Sequence, residues 1–175
     1  MSDGPQTILA LDLANLAGWA LWAHSTTAYG VWNLTKSGNR LANLSDRIHD
    51  IACCNPELRL IAAEASSFGG RNPRVQQSLN ELRGVTRLVA YRIGAEYVEF
   101  HPTTIKSFAT GSGRATKDQM IRAAKTMLGV ETDDDNIADA LFILELAKRY
   151  GTNPLTAAAK KKARKRVKSK QARLF

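Results

Sequence analysis

Residues 8–34, with the sequence ILALDLANLAGWALWAHSTTAYGVWNL, contain three stretches that are typical of β-strands. The stretches ILALDL (8–13), GWALWA (18–23) and TAYGVWNL (27–34) are rich in aliphatic, aromatic and β-branched residues, which favour the extended backbone of a sheet. Because only short polar segments link them, neighbouring strands should pair in opposite directions. The sequence therefore predicts an antiparallel, three-stranded meander.

The periodicity changes after the third strand. Apolar residues at helical spacing predict an amphipathic helix over about 39–54, and the apolar run LRLIAAE, residues 58–64, predicts a buried strand. Residues 66–73, SSFGGRNP, have the composition of a loop, and EYVEF, residues 96–100, is a fifth strand candidate. Further helices are predicted at about 75–93, 102–109, 116–128 and 135–150.

Without the short helix at about 102–109, the order of these elements is β-β-β-α-β-α-β-α-α, which predicts an α/β domain. Three antiparallel strands followed by parallel crossovers give a mixed five-stranded sheet flanked by helices. This is the order of the RNase H-like fold, although topology alone does not establish a function. Gly151, Asn153 and Pro154 end the periodic pattern, so residues 1–150 should form the domain and residues 151–175 a basic, flexible tail.

Basic residues are unevenly distributed along the chain. The net charge of +9 resides in residues 157–175, which contain six Lys, three Arg and no acid. The rest of the chain has 25 − 9 = 16 basic residues against 16 acidic ones, so it is formally neutral. Basic tails of this kind bind nucleic acid by neutralising phosphates and releasing counterions. The tail residues predicted to contact DNA are Lys160, Lys161, Lys162, Arg164, Lys165 and Arg166.

Membrane insertion and secretion are both disfavoured by the sequence. No apolar run approaches the ~18–20 residues needed to cross a bilayer, and residues 1–7 lack the apolar core of a signal peptide. We therefore expect no membrane partner and a cytoplasmic, nucleoid-associated protein of a bacterium or a phage-infected cell.

Two carboxylates interrupt strands that are otherwise apolar. Asp12 lies inside the first strand and Glu64 ends the fourth, and neither residue caps an evident helix. A buried carboxylate is costly unless hydrogen-bond donors or a cation compensate for it. We therefore expect both residues to bind a metal ion.

A third group of acids opens the last predicted helix. Asp139 is four residues after Asp135 and three after Asn136, so either pair shares one face of the helix. Packing of this helix on the sheet should bring its acids beside Asp12 and Glu64. Mg²⁺ and Mn²⁺ prefer oxygen ligands, and two such ions ~3.5–4 Å apart can promote phosphodiester hydrolysis. The sequence thus predicts a nuclease that uses two Mg²⁺ or Mn²⁺ ions per active site.

These residues resemble the RuvC family of Holliday junction resolvases, particularly the compact versions found in phages and bacteria. The resemblance covers about residues 8–148 and rests on ILALD, GWA, LIAAEASSF, ELRGV, HPTTIKSFATGSGRATKDQMI and DNIADAL. It implies a homodimer that binds four-way DNA junctions and makes paired nicks in strands of like polarity. It also implies that Asp12, Glu64 and Asp139 are the first, second and last metal ligands.

The further ligand is left open by the resemblance. Asn136 stands three residues before the last Asp, where the family usually has Asp or His, and Asp135 stands one residue earlier. We favour Asp135 slightly because its charge matters to Mg²⁺ binding, and we keep both as candidates. A second departure is that Leu-Ala follows Asp12, where many relatives have Pro and a small residue.

DNA-contacting positions are also implied by the resemblance. Lys106 and Lys117 match two basic positions implicated in DNA binding and catalysis, and Lys117 would neutralise charge that develops on a phosphate. Phe68 lies near the aromatic residue that stacks on unpaired junction bases, with spacing that differs by one residue. The remaining predicted DNA contacts are Arg71, Arg74 and Arg114.

The leading functional prediction is a crossover junction endodeoxyribonuclease. One alternative is a less selective nuclease that acts on branched DNA, flaps or RNA–DNA hybrids. The other is a junction-binding protein whose metal site has lapsed. The sequence does not indicate whether a helicase partner supplies the junctions.

Overall fold

Alternating strands and helices follow an antiparallel meander in the computed structural model, which describes residues 7–36, 38–66 and 72–152. The strands are β1 (Thr7–Asp12), β2 (Leu16–Ala23), β3 (Thr26–Asn33), β4 (Leu58–Glu64) and β5 (Glu96–Phe100). The helices are α1 (Arg40–Cys54), α2 (Pro73–Arg92), α3 (Pro102–Thr110), α4 (Lys117–Leu128) and α5 (Asp135–Thr152).

The five strands form one mixed sheet in the order β3-β2-β1-β4-β5. The pairs β1–β2 and β2–β3 are antiparallel, whereas β1–β4 and β4–β5 are parallel. The predicted meander, the parallel crossovers and the flanking helices are therefore confirmed.

The start of α2 differs from the prediction. The sequence pattern assigns Pro73 to the loop, but this residue is the first of the helix. The side chain of Asn72 caps the helix by accepting a hydrogen bond from the Arg74 amide. Since proline has a fixed φ angle suited to a first helical turn and needs no amide partner there, the capped proline starts the helix instead of preceding it.

Side chains alternate between the two faces of the sheet and supply two hydrophobic cores. Leu9 and Leu11 of β1 pack with α1 and α2, whereas Ile8 and Ala10 pack with α3, α4 and α5. This alternation is the period-two pattern of a strand that is buried on both sides. Residues of β1 with even numbers therefore face α5.

Small side chains let α5 lie close to the sheet. Ala10, Ala20 and Ala62 are fully buried on the α5 side of the sheet, and they belong to the same core as Ala138 and Ala140 of the helix. We name the first three residues the alanine seat. Short side chains on the sheet and on the helix allow their backbones to approach closely, so the alanine seat determines the distance between α5 and the sheet.

Gly18 of β2 is the closest of these approaches. A Cβ atom built on Gly18 would lie 2.0 Å from the main-chain oxygen of Asn136, at the start of α5. No real Cβ atom tolerates that distance from a backbone atom. Glycine is therefore required where the first turn of α5 meets the sheet.

The predicted tail lies almost wholly outside the described residues. The last described helix, α5, ends at Thr152, close to the predicted boundary at residue 150. The basic cluster Lys160, Lys161, Lys162, Arg164, Lys165 and Arg166 is outside the described part of the chain. Among the residues described, no helix has the length and apolar character that crossing a membrane requires.

Candidate active site

Strand register brings Asp12 and Glu64 together. The parallel pairing of β1 with β4 joins Leu11 to Ala63, one residue before each acid. Two residues before each acid, Ala10 of β1 and Ala62 of β4 are buried on the α5 side of the sheet. Because side chains alternate, both carboxylates also point to that side. Asp12 and Glu64 are therefore neighbours beneath the start of α5.

The first turns of α5 add two more carboxylates. Asp139 raises the pKa of both Asp12 and Glu64, and Asp135 raises the pKa of Asp12 and Asp139. These mutual effects require the four groups to lie within electrostatic reach of one another. The structure thus assembles the acidic cluster that the sequence predicts, which we define as Asp12, Glu64, Asp135 and Asp139.

Burial is the largest influence on three of these acids. It raises the pKa of Asp12 well above its usual range, and the nearby carboxylates add to the effect. It also raises the pKa of Glu64, with a further increase from Asp139. Burial raises the pKa of Asp139 to about 6, although the charge of Lys106 opposes this. The cluster therefore lacks the positive charge that full ionisation would need.

One oxygen atom in the cluster has no partner. Asp139 Oδ1 is buried and accepts no hydrogen bond within the described part of the protein. A buried carboxylate oxygen without a donor is expensive, and a cation is the partner that would satisfy it. Oxygen atoms from carboxylates are also the ligands that hard divalent cations prefer. The cluster therefore fits a divalent metal ion in chemistry and charge.

The carboxylate side chains of the acidic cluster are not arranged around a single point in the described part of the structure. Among residues 7–36, 38–66 and 72–152, no group of three or more His, Cys, Asp or Glu side chains has an arrangement that could hold a metal ion. The carboxylates are close enough to raise each other's pKa values, and their mutual repulsion favours separation. Binding of a cation therefore requires them to converge.

Asp135 and Asn136 play different parts in this structure. Asp134 Oδ1 accepts hydrogen bonds from both the main-chain amide and the side-chain Nδ2 of Asn136, each at 2.8 Å. The Asn136 side chain is thereby held at the helix start. Asp135 instead forms an ion pair with Lys117 and acts on Asp12 and Asp139. The geometry favours Asp135 as the further member of the acidic cluster.

Two lysines face the cluster from different helices. Lys117, the first residue of α4, lowers the pKa of Asp12 and of Asp139 in addition to pairing with Asp135. Lys106, on α3, lowers the pKa of Glu64 and of Asp139. The structure thus places both predicted lysines beside the acids, where a phosphate group approaching the cluster would meet them.

Comparison with known proteins identifies the family. The family model described as Crossover junction endodeoxyribonuclease RuvC matches residues 25–145, which is more than half of the chain. The chain belongs to the RuvC family. The family match begins after β2, so Asp12 and Gly18 lie outside it and their assignment rests on strand register and packing.

Individual relatives agree with this assignment. The chain is 31% identical over 149 residues to the crossover junction endodeoxyribonuclease RuvC of Rickettsia akari (strain Hartford), covering 78% of the chain and 92% of the relative. It is 40% identical over 101 residues to the RuvC of Anaeromyxobacter sp. (strain K), covering 57% of the chain and 55% of the relative. The chain therefore spans about half the length of the Anaeromyxobacter protein.

A solved structure shows the same fold. The structure described as T. thermophilus RuvC in complex with Holliday junction substrate aligns with a TM-score of 0.64 and 16% sequence identity. The alignment covers 79% of this chain and 90% of the Thermus thermophilus chain. The predicted RNase H-like architecture of a RuvC-family protein is thus confirmed.

The other predicted DNA contacts are less closely tied to the acids. Arg74 is exposed in the first turn of α2, and Arg114 is exposed in the segment between α3 and α4. Phe68 and Arg71 lie outside the described residues. The proposed roles of all four residues stay predictions.

Sequence reasoning missed two residues that the structure places around the cluster. Gly18 permits the contact between β2 and α5, and its signal was a glycine inside a strand, which often marks a close backbone approach. Arg83 is buried on α2 and donates a hydrogen bond to the main-chain oxygen of Glu64. The sequence feature that could have identified Arg83 is its position beside the apolar stripe of a predicted helix.

The stability of the metal-free RuvC-family domain should fall as pH rises through the weakly acidic range. The Asp139 carboxyl has an ordinary pKa of 3.8 in an unfolded chain and a pKa of about 6 in the fold. Between these values the folded protein binds more protons than the unfolded chain, so its free energy of unfolding decreases as pH rises. The raised pKa values of Asp12 and Glu64 act in the same direction.

Thermal unfolding in EDTA, at pH values from about 4 to about 7.5, measures this effect. Asp139→Asn should gain melting temperature relative to the parent protein toward pH 7.5, and the gain should shrink near pH 4. A constant difference across the range would show that Asp139 has an ordinary pKa in the fold.

Proposed function

We propose that this protein is a metal-dependent endonuclease that resolves four-way DNA junctions by hydrolysing phosphodiester bonds. The observation that carries the proposal is the acidic cluster, in which buried Asp139 Oδ1 lacks a partner among the described residues. Membership of the RuvC family supports the choice of substrate, because its relatives are described as crossover junction endodeoxyribonucleases. The proposed substrate is therefore a four-way junction or related branched DNA.

The acidic cluster would hold the cation through Asp12, Glu64, Asp139 and Asp135. We propose Mg²⁺ or Mn²⁺, with two ions per site, because these ions suit carboxylate ligands. When bound, they would supply positive charge and an activated water for in-line attack on phosphorus. The chain's own residues would bring the carboxylates together, and a bound cation would offset the burial and mutual repulsion that raise the pKa values of Asp12 and Glu64.

The lysines would act on the DNA phosphate. Lys117 is exposed and paired with Asp135, so its ammonium group would be free to move if that carboxylate turned to a cation. At the cluster, a positive charge stabilises the negative charge that grows on the scissile phosphate. Lys106 would add to the same field from α3. Asn136 would remain the side chain that organises the helix start.

A homodimer is part of the proposal because a four-way junction offers two equivalent strands for cutting. Leu88 and Tyr91 are 48% and 83% exposed, and they lie three residues apart on α2. Residues at this spacing share one helix face, so α2 presents an apolar surface that a second copy would cover. Sedimentation equilibrium of the purified protein tests this part of the proposal.

Cleavage of synthetic four-way junctions with product mapping tests the function itself. We expect symmetric nicks in two strands of like polarity, in the presence of Mg²⁺ or Mn²⁺ and not in EDTA. Flaps, linear duplexes and RNA–DNA hybrids should be cut far more slowly. Equal cutting of all substrates would support the less selective nuclease, and junction binding without cutting would support a lapsed site.

The basic tail should control how tightly DNA is held and not whether it is cut. We propose that it binds phosphates without sequence preference, which would also keep the protein near cellular DNA in the cytoplasm. A chain truncated after residue 155 should bind junctions more weakly. The dependence of log affinity on log salt should flatten by about 0.9 for each phosphate that the tail neutralises in the full chain.

Titration of junction binding at several salt concentrations measures the effect of the tail. The truncated chain should keep the melting temperature and the Mn²⁺ affinity of the full chain. An unchanged salt slope would show that the tail binds no phosphates.

A further inference from the structure

Arg83 is a charged residue buried in the middle of α2. It is 8% exposed, and it is one of the few charged or polar residues that are buried in the described part of the chain. Its Nε donates to the main-chain oxygen of Glu64 at 3.0 Å, and its Nη1 donates to Asn80 Oδ1 at 3.1 Å. Among the described residues, both hydrogen-bond partners are therefore neutral oxygen atoms. A guanidinium group in that position is costly unless a negative charge lies nearby.

The Glu64 carboxylate supplies negative charge near Arg83. Arg83 approaches the end of β4 from the α2 side of the sheet, whereas the Glu64 carboxylate lies on the α5 side. The guanidinium charge lowers the pKa of Glu64 and opposes the effect of burial. Arg83 thus places a positive charge on the opposite side of the sheet from the Glu64 carboxylate.

The hydrogen bond to Glu64 also fixes the backbone at the end of β4. The peptide group that follows Glu64 is held at both ends, because its oxygen accepts from Arg83 and its amide, on Ala65, donates to Phe100 O at 2.8 Å. This peptide group determines the ψ angle of Glu64. The direction in which the Glu64 side chain leaves the strand is set accordingly.

Such a constraint is needed at this point in the chain. The described pairing of β4 with β1 reaches Ala63, and the chain leaves the sheet soon after Glu64. The end of a strand frays when its last residues lose their hydrogen-bond partners. A metal ligand placed there would then lose its fixed orientation. Ser66 bonds to Gln76 at 3.0 Å, which provides a second link between the segment after β4 and α2.

We propose that Arg83 is a positioning residue, whose hydrogen bond to the main-chain oxygen of Glu64 directs the Glu64 carboxylate into the acidic cluster. This inference rests on the proposed metal-binding role of the cluster. It predicts that Arg83 affects cation affinity through Glu64, without touching DNA or the cation.

The test compares Arg83→Gln with Arg87→Gln. Arg87 is one turn further along α2, and its side chain is 65% exposed and pairs with Glu99 on β5. Mn²⁺ affinity is measured by calorimetric titration of the full chain without DNA, and junction affinity is measured separately in EDTA. Arg83→Gln should weaken Mn²⁺ binding by about 10-fold or more, as losses of outer-shell partners do, and leave junction affinity unchanged. Arg87→Gln should retain the Mn²⁺ affinity of the parent protein.

Arg83→Lys separates the charge from the geometry. It keeps the positive charge but lacks the guanidinium Nε that reaches the Glu64 oxygen, so its Mn²⁺ affinity should lie between those of the parent and Arg83→Gln. If Arg83→Gln does not fold, Arg83→Lys carries the test, and it should bind Mn²⁺ more weakly than the parent protein. A folded variant with a lower melting temperature but unchanged Mn²⁺ affinity would overturn the proposal, because Arg83 would then only stabilise the fold.

Failure of the proposed function gives a different result. A parent protein that binds Mn²⁺ in an Arg83-dependent manner but leaves junctions uncut would refute junction resolution and uphold the positioning role. A parent protein that cuts junctions, with an Arg83→Gln variant that binds Mn²⁺ normally, would refute the positioning role alone. A parent protein that does not bind Mn²⁺ would overturn both.

Discussion

Asp12→Asn should abolish junction cleavage while leaving junction binding intact. The carboxylate lies at the centre of the acidic cluster, since Glu64, Asp139 and Asp135 all raise its pKa. The amide that replaces it has nearly the same shape but no charge, so the proposed cations lose a central ligand. Loss of a residue that merely orients a ligand costs about 10–100-fold, so loss of this ligand should lower the cleavage rate by on the order of 10³-fold or more.

The same substitution should stabilise the metal-free protein at neutral pH. Burial raises the pKa of Asp12, which means that the ionised carboxylate destabilises the fold. An amide at this position removes that cost. Mn²⁺ should raise the melting temperature of the parent protein and have a much smaller effect on the variant, because an ion that binds only the folded state stabilises it to a degree that grows with its affinity.

Junction cleavage, gel-shift binding in EDTA and thermal unfolding with and without Mn²⁺ provide the three measurements. Asp46→Asn is the matched control, because Asp46 is an exposed acid on α1, which packs on the opposite face of the sheet. It should behave as the parent protein does in all three. An Asp12→Asn variant that cleaves at the parent rate would show that the acidic cluster is not the active site.

Gly18→Ala should damage both stability and cleavage, although Gly18 carries no chemical group. The added methyl would lie 2.0 Å from the Asn136 main-chain oxygen, which belongs to a hydrogen-bonded helix and cannot rotate away. Overpacking of this kind typically costs about 1–3 kcal/mol, and a backbone clash should reach the upper end of that range. If α5 moves away from β2, Asp135 and Asp139 move away from Asp12. A displacement of about 1 Å can lower a rate by about 10²-fold.

Gly84→Ala provides the control for stability. Gly84 lies inside α2, and a Cβ atom added there meets no other atom within 4 Å. Alanine is favoured over glycine in a helix by up to about 1 kcal/mol, so this variant should keep or raise the melting temperature. Thermal unfolding of both variants and cleavage by Gly18→Ala are the measurements. Wild-type stability and rate in Gly18→Ala would mean that the close approach of α5 to β2 is not needed for the fold or the site.

Most of the fold was predictable because its elements are strongly periodic. β4 and β5 were predicted with the bounds that the structure has, since each is a short stretch of strand-favouring residues between loop signals. The sequence also singled out Asp12 and Glu64 as candidate site residues, because burying a carboxylate in an apolar strand costs free energy unless donors or a cation compensate for it. The helix ends depend on side-chain caps as well as on periodicity, and at Pro73 the cap from Asn72 determines the start of α2.

The parts of the site that were missed depend on contacts between distant segments. Periodicity places Arg83 beside the apolar stripe of a helix, where a long side chain can equally extend to solvent. Only the packed fold shows that it reaches the main chain at Glu64. The sequence likewise left Asp135 and Asn136 as alternatives, and the hydrogen bonds from Asn136 to Asp134 separate their roles.

The alanine seat has a consequence for the order in which the proposed nuclease site would form during synthesis of the chain. The acidic cluster joins Asp12, near the start of the described chain, to Asp139, on the last described helix. In a nascent chain that has formed its sheet but not α5, Ala10, Ala20 and Ala62 would be exposed. Only the two strand carboxylates, Asp12 and Glu64, would lie beside them. Completion of α5 and its docking on the seat is therefore the step that assembles the cluster. The proposed nuclease site would therefore form last, and a prematurely terminated chain that lacks α5 should be unable to cut DNA.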